Sequence, residues 1–361
     1  MGSVDLALAG DTFQARPKES ATQTPPSFPH PTVLTLVAFA TGRNHGMIRP
    51  FLNTDRQAIA DIWQKHWQAA GYPLSSRSDR FELGLLCKPF LKESTCCLIL
   101  DSQSKAAGFA VAFENRSYPG VGDGTMILNQ LCIRPGPDED SLAEQLLQHL
   151  LCQPSNHPKS RWIAASSPDH IGTLVGLEPG NGWCGVLTPD IRRRRWLEQA
   201  GFQITASYLN WQLDLLQFHP AMGRQHVLLR RQSMVTRALE SEWNDTWQAV
   251  VLGHGETIGF HLIHQSKKTK AATAIFWRIA PPIPDTDGQL ALLWMPEECD
   301  DPAQQEQMAF FLTEALQTLR NDQLRTIQTV LHDRAIARMV LLERLGFRQQ
   351  PSGITMERML G

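Results

Sequence analysis

The sequence predicts an α/β fold laid down twice in one chain, and three observations carry that expectation. Trp196-Leu197-Glu198-Gln199-Ala200-Gly201-Phe202 recurs as Leu341-Leu342-Glu343-Arg344-Leu345-Gly346-Phe347, each the end of a helix stopped by glycine and re-entering a strand. An apolar strand, Leu128 to Ile133, turns through Arg134-Pro135-Gly136-Pro137-Asp138-Glu139-Asp140 into a leucine-rich helix opening at Ser141. Ala291-Leu292-Leu293-Trp294-Met295-Pro296, followed by Gln304-x-x-Gln307-x-Ala309 and Leu312, repeats that strand, loop and helix ahead of the second Gly-Phe. A strand turning directly into a helix aims the free N–H groups of the first turn at one spot, which suits an anion. Two divergent copies make a tandem protein.

At 361 residues the chain has room for one domain of ordinary size per copy. The expected division is a leader without a packed core over 1–46, an N-terminal domain over 47–216, a linker over 217–224 and a C-terminal domain over 225–361. The leader is rich in Pro, Ser, Thr and Ala. Its apolar run from Val33 to Ala40 is too far along, behind Asp5, Asp11 and Glu19, to suit a secretory signal. With 34 Lys plus Arg against 36 Asp plus Glu, no overall field draws the protein to nucleic acid, and no membrane partner is expected. The seven cysteines form no C-x-x-C and no metal-type spacing, so reduced thiols in a cytoplasmic setting are the expectation.

In the first copy, Met47 to Phe51 opens as a strand, and Thr54-x-x-Gln57 forms a capping box for a helix whose Ile59, Ile62, Trp63 and Trp67 share one face. His66 beside that stripe reads as a packing or surface residue. A short helix from Arg80 to Cys87 and strands from Cys96 to Leu100 and Ala107 to Phe113 precede the apolar strand; Arg161 to Ala165 follows it. From Ala143 to Gly201 is 58 positions but from Ala309 to Gly346 only 37, an excess of 21 that falls around Ser166 to Thr188. Lid and plain surface excursion both fit this turn-rich stretch. Arg192 to Arg195 read as a solvated helix face, and two strands, Gln203 to Tyr208 and Asn210 to Leu215, end the copy. In the second copy, Trp247 to Leu252 and Thr257 to Ile263 read as a hairpin. His261 and His264 lie three apart on a strand, on opposite faces, which rejects a shared metal.

These motifs resemble the GNAT superfamily of acyl-CoA-dependent N-acetyltransferases. That family carries an apolar strand ending V-x-P, then [QR]-x-x-G-x-[GA] opening a helix with paired leucines, and later a helix ending in Gly-Phe. Ile133-x-Pro135, Asp138-x-x-Ser141-x-Ala143 and Leu146-Leu147 keep the spacing in the first copy, with Asp138 and Ser141 in place of the usual residues. Gln304 and Ala309 keep theirs in the second, with Gln307 in place of the glycine. The resemblance implies two domains, each a mixed central sheet flanked by helices, and acetyl-CoA as co-substrate. Its expected contacts are Ile133, Ser141, Leu142 and Ala143 in the first copy, and Met295, Gln304, Gln307, Met308 and Ala309 in the second. Acyl transfer to an amine of a small molecule or protein is the implied reaction. It depends on positioning and a nearby base or water.

The tyrosine that many GNAT enzymes place before Gly-Phe is Leu197 in one copy and Leu342 in the other. For acid–base work His332 and Asp333, after the strand Thr326 to Leu331, are the candidates, with Asp287 and Asn129 weaker. Asp300-Asp301-Pro302 reads as a helix cap that starts the second helix a turn early. A catalytically silent pair serving as a ligand-sensing or interaction module is the alternative function.

Overall fold

The structure, a computed structural model, describes residues 46–74, 78–88, 95–115, 124–152, 161–168, 170–220, 223–238, 250–279, 289–295 and 301–359. Of the expected leader, all but Gly46 lies outside them, as do Asp287 and Asp300.

Two sets of five strands meet in one 13-stranded sheet. The first set is β1 (Met47–Pro50), β2 (Thr95–Leu100), β3 (Ala106–Glu114), β4 (Thr125–Ile133) and β5 (Arg161–Ala164). The second is β8 (Ser233–Arg237), β9 (Glu256–His264), β10 (Lys270–Ile279), β11 (Gln289–Trp294) and β12 (Leu324–His332). In each set the first four strands are antiparallel neighbours and the fifth lies parallel to the fourth, so the sheet is mixed in both copies. β4 is buried along its whole length, Asn129 and Gln130 included, as a central strand covered on both faces must be.

Two long strands close the centre. They are β7 (Gln203–Asp214) and β13 (Arg348–Met359), each directly after a helix that ends in Gly-Phe. Gly201 and Gly346 take φ of 83° and 88°, the left-handed turn that stops a helix and that glycine adopts without a Cβ clash. The order across the middle is β5, β13, β7, β12, so each copy's fifth strand pairs with the last strand of the other copy. β7 and β13 pair with each other antiparallel from Arg348↔Gln212 to Glu357↔Gln203. The two strands expected at Gln203 to Tyr208 and Asn210 to Leu215 are thus one. No glycine or proline interrupts the run, and its length lets it reach the second copy. Two-residue β6 (Val186–Leu187) adds to β13 beside a register shift.

Helices α1 (Arg56–Ala69) and α2 (Ser78–Phe81) cover one face of the first copy, and α3 (Glu139–Leu151) and α4 (Ile191–Gln199) the other. The start of α1 is fixed by Asp55 instead of Thr54: its carboxylate accepts the Leu52 N–H (2.8 Å) and holds Arg49 (2.6 Å). In the second copy α6 (Pro302–Asn321) and α7 (Ile336–Arg344) pack on one face, with α5 (Arg224–Gln232) beside α6. The hairpin expected around Gly253 does not form within the described residues, because 250–252 are helical.

The stretch from Ser166 to Thr188 is the largest departure from expectation. Residues 171–179 are buried without interruption, and Leu174, Val175, Leu177 and Trp183 join a core shared by both copies. Trp183 packs edge-on against Trp277 of β10 at 5.5 Å, and Leu290 and Leu292 of β11 lie in the same cluster. It is neither lid nor surface excursion. Its apolar residues find no water-facing position between two sheet faces that each need a cover.

Because one edge of β5 and both edges of β7 are paired by the other copy, residues 46–216 alone would carry unpaired central strand edges. Such a fragment is expected to lack a cooperative thermal transition by circular dichroism and to regain one on mixing with residues 223–361. A cooperative transition from either fragment alone would contradict this.

Candidate functional site

In the first copy the parallel pairing of β4 and β5 ends at Leu128↔Ala164, with one further bond from Ala165 N–H to the Leu128 carbonyl (2.8 Å). Ala165 has φ of 65°, a left-handed turn that swings the chain out of the sheet. The two strands diverge beyond this point, and the space between them is filled by the chain itself. Asn129 is the hub. Its Oδ1 accepts from Ser166 Oγ (2.9 Å) and Thr173 N (2.8 Å), and its Nδ2 donates to Thr173 Oγ1 (2.8 Å). Arg193 Nη2 donates to the Asn129 backbone carbonyl (2.9 Å), and Gln130 Nε2 donates to Glu178 (2.8 Å). A Cβ on Gly172 would stand 1.8 Å from Asn129 Oδ1. The inserted stretch is fitted to this cleft at atomic contact.

The charges of that plug are buried together. Arg193, Asp190, His66 and Glu178 are all at most 5% exposed. Asp190 caps α4 by accepting the Arg193 N–H (3.2 Å), and His66 Nε2 lies 3.1 Å from its other oxygen. Arg192 Nη2 donates to His66 Nδ1 (3.1 Å), which leaves Nε2 as the donor to Asp190. Burial alone would push the Asp190 carboxyl up. The His66 hydrogen bond and the charge of Arg193 outweigh it and hold the group below the usual carboxylate range. For Glu178 burial wins: its pKa is pushed up to about 7, against the lowering effects of Arg193 and the Gln130 hydrogen bond.

The anion-binding end of α3 is likewise occupied. Glu139 binds Arg192 (2.7 Å), while Asp140 binds Arg195 and accepts the Trp196 indole N–H (2.6 Å). The arginine run of α4 is therefore a set of internal partners for the acidic first turn of α3. The helix dipole end that could meet a phosphate already has carboxylates, and these have their cations.

The second copy differs at each of these points. Pairing of β11 with β12 ends at Leu292↔Gln328, and the buried Thr329 hydroxyl donates across to the Leu293 carbonyl (2.9 Å). α6 begins at Pro302 with Asp301 as its cap, the Asp301 carboxylate accepting Ala303 N–H (3.2 Å). Its first turn holds no acidic residue. Gln304 at that turn is exposed, whereas Arg344 of α7 binds Glu306 (2.5 Å) further along.

The sequence-derived contacts fall into two groups. Leu142 and Ala143 on α3, and Met308 and Ala309 on α6, are buried on the faces turned to the sheet; Ile133 and Met295 are buried at the ends of β4 and β11. Ser141 and Gln304 are exposed at the first turns, with Ser141 Oγ taking a bond from Gln145 (3.1 Å). Gln307 lies inside α6, where its backbone N–H belongs to the helix ladder; its side chain meets His264 Nε2 (3.4 Å). His332 and Asp333 adjoin at the end of β12, with His332 Nδ1 2.8 Å from Asp333 Oδ1. The cluster of His66, Asp190, Arg193 and Glu178 was missed. Its signal was present: Asn129-Gln130 interrupts an apolar strand with two amides, and Asp190-x-x-Arg193 puts a cap residue one turn from an arginine.

A GCN5-related glucosamine N-acetyltransferase region of a fungal multi-domain GH3 β-N-acetylglucosaminidase superposes with TM-score 0.61 at 14% identity over 89% of this chain. This chain spans 39% of that one. A GCN5-related N-acetyltransferase from Sphaerobacter thermophilus (TM-score 0.53, 11% identity) is matched over 87% of this chain and 95% of its own. A tandem GNAT protein from the clavulanic acid biosynthesis pathway (TM-score 0.53, 12% identity) is matched over 88% and 99%. No family model matches the sequence, and no curated protein matches it. The chain has the fold of these GNAT structures, laid down in tandem.

Two outcomes test the plug. Glu178 keeps its proton up to about pH 7 when folded but only to about 4.5 when unfolded, so the folded state binds more protons in between. Stability is therefore expected to fall as pH rises through that window. Glu178→Gln should raise stability by roughly 2–3 kcal/mol at pH 8 and change little at pH 4, read by denaturant titration at both pH values. Gly172→Ala should destabilise by about 2–4 kcal/mol in the same assay, since neither Asn129 nor Ser166 can withdraw without breaking buried bonds.

Proposed function

We propose that this chain is an acyl-CoA-dependent N-acyltransferase with one cofactor site, in its second copy, and that the first copy is a non-catalytic half. The observation that carries this reading is the difference between the two helix starts. At α3 the acidic first turn is bound by Arg192, Arg195 and Trp196, and the adjoining cleft is filled by Arg193 and the insert. At α6 the only carboxylate at the start, among the described residues, is the Asp301 cap; the first turn itself has no acidic residue and carries the exposed Gln304. Acetyl-CoA fits the second copy, with phosphates near Gln304 and the thioester arm along the end of β11 at Trp294 and Met295. Bound there, it supplies an activated acyl group. The chain's part is to position an amine and take its proton.

His332 is the residue assigned to that proton. Its ring stacks edge-on with Tyr208 at 5.3 Å, and Nδ1 faces both Asp333 Oδ1 (2.8 Å) and the Arg334 N–H (3.1 Å). The Arg334 N–H donates to Nδ1, so the neutral ring carries its own proton on Nε2 and takes up a second one at Nδ1, beside the Asp333 carboxylate. The acceptor is an amine of a small molecule or a protein, and the setting is the cytoplasm; among the described residues no helix is long and apolar enough to cross a membrane.

A second reading, a silent pair that senses a ligand or binds a partner, is favoured by one feature. Leu342, where many GNAT enzymes carry tyrosine, is fully buried in the core, and Leu197 matches it in the first copy. Isothermal titration with acetyl-CoA is expected to give one site per chain. Gln304→Glu should weaken it about three- to tenfold by placing like charge at the helix start, and Asp140→Asn should leave it unchanged. Two sites per chain would overturn the assignment of copies. Binding without turnover of any amine would favour the silent reading, and absence of binding would reject the enzyme.

A further inference from the structure

The two copies can be aligned on Gly201 and Gly346, since β7 and β13 start two residues after them and have equal length. Arg358 then corresponds to Leu213, Ala200 to Leu345 and Glu198 to Glu343. In the first copy Arg358 reaches back to the helix end: its Nη1 donates to the Ala200 carbonyl (2.6 Å), and its Nε lies 3.9 Å from where a Gly201 Cβ would stand. A guanidinium there answers the partial negative charge of the last carbonyls of α4. In the second copy Leu213 takes that position, 3.7 Å from the corresponding point at Gly346, and a leucine has nothing to donate.

At this place a cavity of about 540 Å³ opens between the end of α7, the end of β7 and residues 217–219. That volume suits a small molecule. Its lining includes Leu213, Leu345, Phe218, Asp214 and Glu343. Asp214 already accepts the Leu216 N–H (2.9 Å) through one oxygen. The lining also holds the cationic side chains Arg344 and Arg348. Arg344 is bound by both oxygens of Glu306 (2.5 and 2.9 Å), and Arg348, directly opposite Gln212, projects on the sheet face away from Leu213. His219 lies at the exposed mouth. Phe218 is buried and offers an apolar wall for an alkyl stem.

We propose that this cavity is a binding site for a small alkylguanidinium, whose head group takes at the end of α7 the place that Arg358 fills at the end of α4. The site is independent of any acyl-CoA chemistry. Its ligand is held by the terminal carbonyls of α7 together with the carboxylates of Glu343 and Asp214.

The full chain is titrated with n-butylguanidinium and with n-butylurea, its uncharged isostere, and the thermal midpoint is followed at millimolar concentrations. Saturable stabilisation by the guanidinium alone is expected. Glu343→Gln, at an exposed position, should weaken that response about tenfold. Leu213→Arg supplies the chain's own guanidinium and should abolish it; if this buried change prevents folding, Asp214→Asn takes its place with an expected weakening. Equal response to butylurea, no response to either compound, or an unchanged response in Glu343→Gln would overturn the proposal.

Discussion

Everything in this fold leans on the pairing of β7 with β13. Each strand is the continuation of a helix in its own copy and the neighbour of a fifth strand in the other, so the hydrogen bonds at the centre of the sheet belong to neither copy alone. Strand edges left open at the middle of a sheet cost backbone hydrogen bonds and invite association. Mutual completion removes both problems and sets the two copies back to back, with the order of strands reading alike from either edge.

With the halves joined in this way, one face of the second copy's sheet needs a cover, and the insert of the first copy supplies it. Trp183, Leu174 and Leu177 lie among Trp277, Leu290 and Leu292. The same stretch turns polar atoms toward Asn129 and Gln130 on its other side. A segment apolar on one side and hydrogen-bonding on the other can seal a cleft only where each polar group meets a partner, and Asn129 and Gln130 of β4 are partners to Ser166, Thr173 and Glu178. Arg193 is central because one guanidinium supplies the bond to the Asn129 carbonyl and the charge beside Asp190 and Glu178. The seam has a further polar contact: Lys88 donates to the Val250 carbonyl (3.1 Å) and lies against His254 (3.3 Å), and burial lowers its pKa to about 8.

Much of the fold could be read from residues whose meaning is local. The Gly-Phe ends, the apolar strand before Arg134 and the Asp301-Pro302 start each follow from the conformational demands of a few neighbouring residues, and each has its counterpart in the structure. What local pattern could not carry was the destination of a strand. Gln203 to Asp214 alternates well enough to be a strand anywhere; that its partners come from beyond residue 320 depends on long-range geometry. The arginine run misled for a related reason. Four consecutive cations look solvated, yet a helix turns successive residues to different sides, sending Arg193 inward and Arg192 and Arg195 to the carboxylates of α3. For the candidate site, the frame was legible and its occupancy was not, because Asp138-Glu139-Asp140 reads equally as a cap or as the acceptor of an internal ion pair.

The strand exchange has a consequence for how such a protein can change over time. Were the same arrangement built from two identical chains, any substitution that filled one cleft would fill both, and a useful loss on one side would be inseparable from a loss on the other. Covalent fusion breaks that symmetry. The first copy is free to stuff its groove with its own side chains and become a buttress, because its sequence no longer dictates that of its twin, while the shared strands keep either half from being discarded.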